Sequence, residues 1–214
     1  MKGKFFIQEI IYQLSVFFRQ IRYSRWFAGP RHHEIARTNL RRFFIDLNGF
    51  LRDQEVDYWL AYGTLLGYHR EQDLILGDID IDIGLPEAAY PQLLQAIKQV
   101  PPGLRLIDSD QKKHGGPKMY LTSGLLKADL YFYADKGDSL KLHLRSHYVA
   151  DSTPVPRKLI LPTREITFLG QPTRAPNQVE ALLKWTYGYI GRDGRLDRRT
   201  GFWIEAKSPT QRTG

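Results

Sequence analysis

"LILGDIDIDIGLP", residues 74 to 86, sets Asp78, Asp80 and Asp82 at every second position of an apolar run. A strand has a side-chain period of two, so the three carboxylates are expected on one face, roughly 6 to 7 Å apart, with Ile79, Ile81 and Ile83 on the other. The isoleucine face calls for a core. The acid face repels itself and is costly to bury unless water or a cation compensates it. Two readings stand on this stretch alone: an acid-lined, solvated edge strand, or an oxygen-only site for a hard divalent ion.

Upstream, "DYWLAY" (57 to 62) reads as a strand and "GTLLGYHR" (63 to 70) as a Gly-Thr turn entering a short helix. Such a turn lets backbone N–H groups and the Thr64 hydroxyl approach a phosphate, and Arg70 adds a fork of positive charge. Further upstream, Ile35, Leu40, Phe43, Phe44, Leu47, Phe50 and Leu51 recur at helical spacing between Glu34 and Arg52, after a break at Gly29-Pro30. Downstream, a helix is expected from Ala88 to Val100, stopped by Pro101-Pro102-Gly103. Strands follow at 104–107, 118–122, 126–133, 140–149 and 166–169, then a helix from Gln178 to Tyr187 that Asn177 is placed to cap. In "LKADLYFY" (126 to 133) Asp129 is the lone acid of an apolar strand. It needs a cation, either a metal shared with the first acids or a lysine such as Lys118.

The 214 residues suit one domain, expected over 31–204, with an N-terminal helix at 1–28 and a loose tail at 205–214. The expected class is α+β, a mixed sheet carrying the acids with helices packed on one face, plus N-terminal helices. The net charge is +8, with 31 Lys and Arg against 23 Asp and Glu spread along the chain, which favours anionic partners without choosing among them. The absence of cysteine removes disulfides, thiolate metal sites and a cysteine nucleophile.

"FFIQEIIYQLSVFF" (5 to 18) is apolar but interrupted by Gln8, Glu9 and Gln13, is shorter than the ~20 residues of a spanning helix, and has no small-residue cleavage site after it. An amphipathic helix is expected instead, with Phe6, Ile10, Leu14, Phe17 and Ile21 on one stripe and basic flanks. It either lies on an anionic bilayer or packs on protein.

A strand, a Gly-Thr turn, a short helix and an Asp-x-Asp strand follow one another in nucleotidyltransferase-type folds. Moreover, "GTLLGYHREQDLILGDIDIDIGL" resembles the signature of the LicD family, which includes bacterial phosphocholine transferases and fukutin-type phospho-alditol transferases. Gly63 to Gly67, Arg70, Asp78, Asp80 and Asp82 match that pattern without a gap, and "FLGQPTRAPNQVEALLKWTYG" (168 to 188) resembles the family's second block. The chain departs from the family at Ile75-Leu76-Gly77, where Ile-Pro-Trp is usual, and at Ile79, where an acid is usual.

The resemblance implies a metal-dependent transferase that moves a phospho-alcohol of the phosphocholine, ribitol phosphate or glycerol phosphate type. The donor would be CDP-activated and the acceptor a sugar hydroxyl of a cell-surface glycan or its lipid-linked precursor, with CMP released. Substrates of this kind occur in lipopolysaccharide, capsule and teichoic acid modification. Asp80 and Asp82 would bind Mg²⁺ or Mn²⁺, with Asp129, at the position of the family's third acid, completing the site and accepting the acceptor's proton. Asp78 would orient ligands from behind. Gly63, Thr64 and Arg70 would hold the diphosphate, with Lys118 and Tyr187 as further substrate contacts. A cytoplasmic location is expected, peripheral on the inner face of the plasma membrane.

Other residues carry less. His143 and His147 are four apart but lack a third ligand, so a solvated strand is expected. Arg31-His32-His33 is expected to be a loop and Trp185 part of the core. Two other function classes are a nucleotidyltransferase that releases pyrophosphate and a non-catalytic anion- or membrane-binding module. Nucleic acid is not an expected partner, because the acid face repels a polyanion.

Overall fold

The computed structural model describes residues 30–109, 115–143 and 153–206. The expected N-terminal helix, His147 and the end of the tail lie outside the described residues.

Helix α1 (Pro30–Asp53) opens on a proline. A proline's fixed φ and missing N–H suit the first turn, where that N–H would have no partner. Arg31-His32-His33 is therefore helical rather than the expected loop. Leu40, Phe43, Phe44, Leu47, Phe50 and Leu51 are all buried, as their spacing requires, whereas Ile35, expected on the same stripe, is 61% exposed. The one amide in that stripe, Asn48, is satisfied: Tyr58 Oη–H donates to its Oδ1 at 2.6 Å and its Nδ2–H donates to the Pro172 carbonyl at 3.0 Å.

The expected 57–62 strand shrinks to β1 (Trp59–Leu60), because Ala61 is already the N-cap of α2 (Tyr62–Glu71). Gly63 and Thr64 thus lie in the first turn of a helix, not in a turn before it. Strand β2 runs Asp80–Pro86. Asp78 is not in the strand with Asp80 and Asp82 but reaches the site from the preceding turn, where Gly77 takes φ +91°. The 88–100 helix is broken into a 3₁₀ turn (Glu87–Ala89), α3 (Tyr90–Ala96) and a second 3₁₀ turn (Ile97–Gln99).

Strands β3 (Arg105–Asp108), β4 (Lys118–Ser123) and β5 (Leu126–Asp135) follow, then β6 (Ser139–Leu142) and β7 (Val155–Pro156). They complete a seven-stranded mixed sheet of order β1-β2-β5-β4-β3, in which β6 extends the pairing of β5 and carries β7. The β2–β5 pair is parallel and the other pairs are antiparallel. On the apolar face Ile81, Ile83, Leu85, Ala128, Leu130 and Phe132 are completely buried, which anchors the register: a slip of one residue would expose them all.

The chain closes with a short α4 (Arg157–Ile160), the hairpin β8 (Arg164–Phe168) and β9 (Gln171–Ala175), α5 (Val179–Tyr187), and the hairpin β10 (Gly194–Leu196) and β11 (Trp203–Glu205). Gln178, not Asn177, is the N-cap of α5, and Asn177 Nδ2–H donates instead to the Lys158 carbonyl. Trp185, expected in the core, is 39% exposed. Residues 203–205, at the edge of the expected loose tail, belong to a strand. Among the described residues no helix is long and apolar enough to cross a membrane.

Candidate active site

The parallel register sets Asp80 opposite Lys127 and Asp82 opposite Asp129, and the antiparallel β4 adds Tyr120 opposite Asp129 and Lys118 opposite Tyr131. Cross-strand partners share a face, so three acids, two lysines and two tyrosines meet on one side of the sheet. The first turn of α2 closes over them. Gly63 N–H donates to Asp82 Oδ2 at 3.0 Å, and the Asp82 N–H donates to Thr64 Oγ1 at 2.9 Å. Gly63 leaves room for both carboxylates: a Cβ would lie 3.0 Å from Asp78 Oδ2 and 3.3 Å from Asp82 Oδ2, and would push them aside by a few tenths of an ångström. Thr64 is fully buried and its hydroxyl faces the strand, so it builds the site rather than reaching for a phosphate.

Charge is unevenly compensated. Asp129 is 5% exposed and Lys118 is 2% exposed. Lys118 Nζ sits 3.0 Å from Asp129 Oδ1, while Lys127 Nζ pairs with Asp129 Oδ2 and lies 3.1 Å from Asp80 Oδ2. Burial alone would raise the Asp129 pKa, but the two ammonium groups outweigh it and hold the carboxyl below its usual range. Burial pulls Lys118 down to about 8, against the attraction of Asp129, so the pair is ionic at neutral pH. Its ammonium also stands 3.3 Å from the centre of the Tyr131 ring. At Asp78 and Asp82 burial and neighbouring carboxylates win, although Lys118 pulls Asp82 the other way. Burial, then the charge of Asp80, pushes Asp78 up to about 7, and burial with Asp80, Asp129 and Asp78 pushes Asp82 well above the carboxylate range.

Lys127 escaped the sequence reading although the signal was present, since it stands two residues before Asp129 and so on the same strand face. Lys118, expected near a turn as an exposed residue, is one of the most buried polar groups. His143 Nε2 lies 3.2 Å from Glu87 and has no place in the cluster.

Next to the acids lies a cleft of about 580 Å³, walled by Gly63, Arg70, Asp78, Tyr187, Tyr189 and Trp203 among others. Tyr187 is thus brought to the site. Arg70 is there too, but its Nε and a terminal nitrogen donate to the carbonyl of Ile190, and that nitrogen also to Gly191 at 2.9 Å. A larger hollow of about 870 Å³ lies elsewhere, between Arg157, Thr163 and Arg174, and none of the acids lines it.

The acid set suits a hard divalent ion in part. Asp78, Asp80 and Asp82 offer only oxygens, and Asp78 and Asp82 bring theirs to the same glycine. Among the described residues, however, no three acids or histidines form a ready-made metal cluster. Asp129 is held by two lysines and would have to exchange at least Lys127 to become a ligand. That leaves Asp78, Asp80 and Asp82, of which Asp80 lies 3.1 Å from Lys127, and any two of them would make the usual protein contribution to an Mg²⁺ ion whose other ligands are water and substrate phosphate.

The sequence profile of the LicD/FKTN/FKRP nucleotidyltransferase domain matches residues 55–178, which takes in β1 through β9 and every acid of the cluster. An uncharacterized protein of Rickettsia typhi is 30% identical over 124 residues, covering 56% of this chain and 37% of its own length. The chain therefore spans little more than a third of that relative. The crystal structure of ANT(2")-Ia in complex with adenylyl-2"-tobramycin superposes with a TM-score of 0.44 at 13% identity, covering 64% of this chain and 68% of that one.

Proposed function

This chain belongs to the LicD/FKTN/FKRP family of nucleotidyltransferase domains, and from that footing we propose that it is a metal-dependent phospho-alcohol transferase. Its donor is a CDP-activated alcohol of the choline, ribitol or glycerol type. Its acceptor is a sugar hydroxyl of a cell-surface glycan or its lipid-linked precursor. The observation that carries this is the meeting of Asp78 and Asp82 at Gly63, with Asp80 on the same strand face as Asp82, beside a cleft of about 580 Å³. That is a size suited to a small-molecule ligand.

In this account the acceptor oxygen attacks the phosphorus that bears the alcohol, and the bond from that phosphorus to the CMP oxygen breaks. CMP leaves with the electron pair, and the hydroxyl proton passes to a carboxylate. Asp80 and Asp82 would hold Mg²⁺ or Mn²⁺, which when bound supplies charge neutralisation for the diphosphate. Asp129 would join them if Lys127 withdrew. Lys118 and Lys127 keep Asp129 ionised, the state that a proton acceptor needs. Gly63 keeps the space between Asp78 and Asp82 clear.

The same acids would serve attack at the other phosphorus, which would make the enzyme a transferase of the nucleotide itself. Nucleotide products separate the two. Incubation with Mg²⁺, a panel of sugar acceptors and CDP-choline, CDP-ribitol or CDP-glycerol should release CMP. Release of pyrophosphate from a nucleoside triphosphate, with no CMP from any conjugate, would overturn the proposal in favour of nucleotidyl transfer.

A further inference from the structure

The cleft beside the acids has a wall that lies outside the 55–178 span matched by the family profile. Tyr187 ends α5, Tyr189 follows it, and Trp203 begins β11. These three aromatic rings line the same space as Gly63 and Asp78. Trp203 is 40% exposed in a paired strand, so the fold does not use its full apolar surface. A half-exposed indole at the wall of a cleft offers a flat π-face to a ligand.

This wall is built, not loose. Tyr189 N–H donates to the Trp203 carbonyl at 2.9 Å, and Tyr189 Oη–H donates to Asp193 at 2.6 Å. Gly194 lets the rings close in, since a Cβ there would lie 3.2 Å from the Tyr189 ring and 3.3 Å from the Trp203 ring. Arg70 then ties the segment to α2 through the carbonyls of Ile190 and Gly191, and Arg192 lies 3.1 Å from Glu71 at the end of the same helix. Because the other end of α2 carries Gly63 to Asp82, one helix sets the distance between the acids and the aromatic wall.

We propose that the cleft between α2 and the β10–β11 hairpin takes the nucleoside half of the activated donor, with the Trp203 indole stacking on its base, and that Arg70 is the positioning residue that holds this wall. The proposal rests on the transferase reading and adds to it a location for the base. Arg70 acts on the donor through the hairpin, since its fork is directed at backbone carbonyls.

Calorimetric titration of the full chain with CDP and with inorganic pyrophosphate, each with Mg²⁺, tests both parts. The wild type should bind CDP more tightly than pyrophosphate. Trp203→Ala should weaken CDP about 10-fold and leave pyrophosphate unchanged, while Trp203→Phe should keep most of the CDP affinity. In transfer assays the alanine variant should raise the donor KM with kcat preserved. Arg70→Lys keeps the charge but loses the fork, so it should weaken CDP alone. If Arg70 gripped the diphosphate directly, pyrophosphate binding would fall as well, and its positioning role would be wrong. Unchanged CDP binding by Trp203→Ala overturns the stacking. Pyrophosphate binding with no added affinity for CDP sinks this inference but leaves the transferase reading standing; binding of neither removes both.

Discussion

Asp78 and Asp82 carry the residue-scale consequences, because burial and neighbouring carboxylates raise the pKa of both. Folding raises the Asp78 pKa from 3.8 to about 7. Between those values the folded chain keeps a proton that the unfolded chain has lost, so stability falls as pH rises through that window. Asp82 shifts in the same direction. Thermal midpoints measured with a chelator present should therefore fall as pH is raised from about 5 to about 8, and Asp78→Asn should flatten that fall. An identical slope in wild type and variant would show that Asp78 ionises freely in the fold. Gly63→Ala separates site geometry from stability. The added methyl meets the mobile ends of two carboxylates, so the thermal midpoint should hardly change. Transfer should drop by about 10-fold, since a displacement of a few tenths of an ångström at reacting groups costs less than the ~100-fold of a full ångström. Wild-type turnover by that variant would remove the carboxylates around Gly63 from the mechanism.

The joint between α2 and β2 decides the site at the scale of elements. Thr64→Val keeps the shape but leaves the Asp82 N–H without its acceptor, which should cost about 1 to 3 kcal/mol in denaturant unfolding. Gly84→Ala would drive a Cβ to 2.2 Å from the Trp59 indole nitrogen across the β1–β2 pair, an overpacking worth about 1 to 3 kcal/mol. Loss of less than half a kcal/mol in either would contradict the packing described here. Elements with strong periodicity were legible in the sequence. The α1 stripe from Leu40 onward, the alternation of Ile81 and Ile83, and the strands expected at 118–122 and 126–133 all follow from spacing. What escaped depended on contacts between distant segments. Strand β9, "QPTRA", contains a proline and falls outside the strands expected from spacing, yet it pairs with β8 through a turn at Leu169-Gly170 in which both residues take positive φ. The Lys118 and Lys127 pairing with Asp129 needs the β4–β5 register, and the grip of Arg70 on residues 190 and 191 joins positions about 120 apart in sequence.

At the scale of the whole molecule, the proposed function requires the acid edge and the cleft beside it to form a single site for a metal and a CDP-linked alcohol. The motif made the edge legible. The cleft was not, because its far wall comes from residues 187–203, whose spacing carries no signal of where the chain returns. Thermal unfolding of the full chain with CDP-choline, CDP-ribitol and CDP-glycerol, with and without Mg²⁺, tests the claim without knowledge of the acceptor. Ligand at ~100 times its Kd adds about 2.7 kcal/mol, which raises the midpoint of a chain of this size by about 5 to 10 °C. The account predicts a shift of that order for at least one conjugate in the wild type, absent without Mg²⁺ and absent in Asp80→Asn and Asp82→Asn. A shift that survives both the removal of Mg²⁺ and those substitutions, or one produced by nucleoside triphosphates alone, would contradict it.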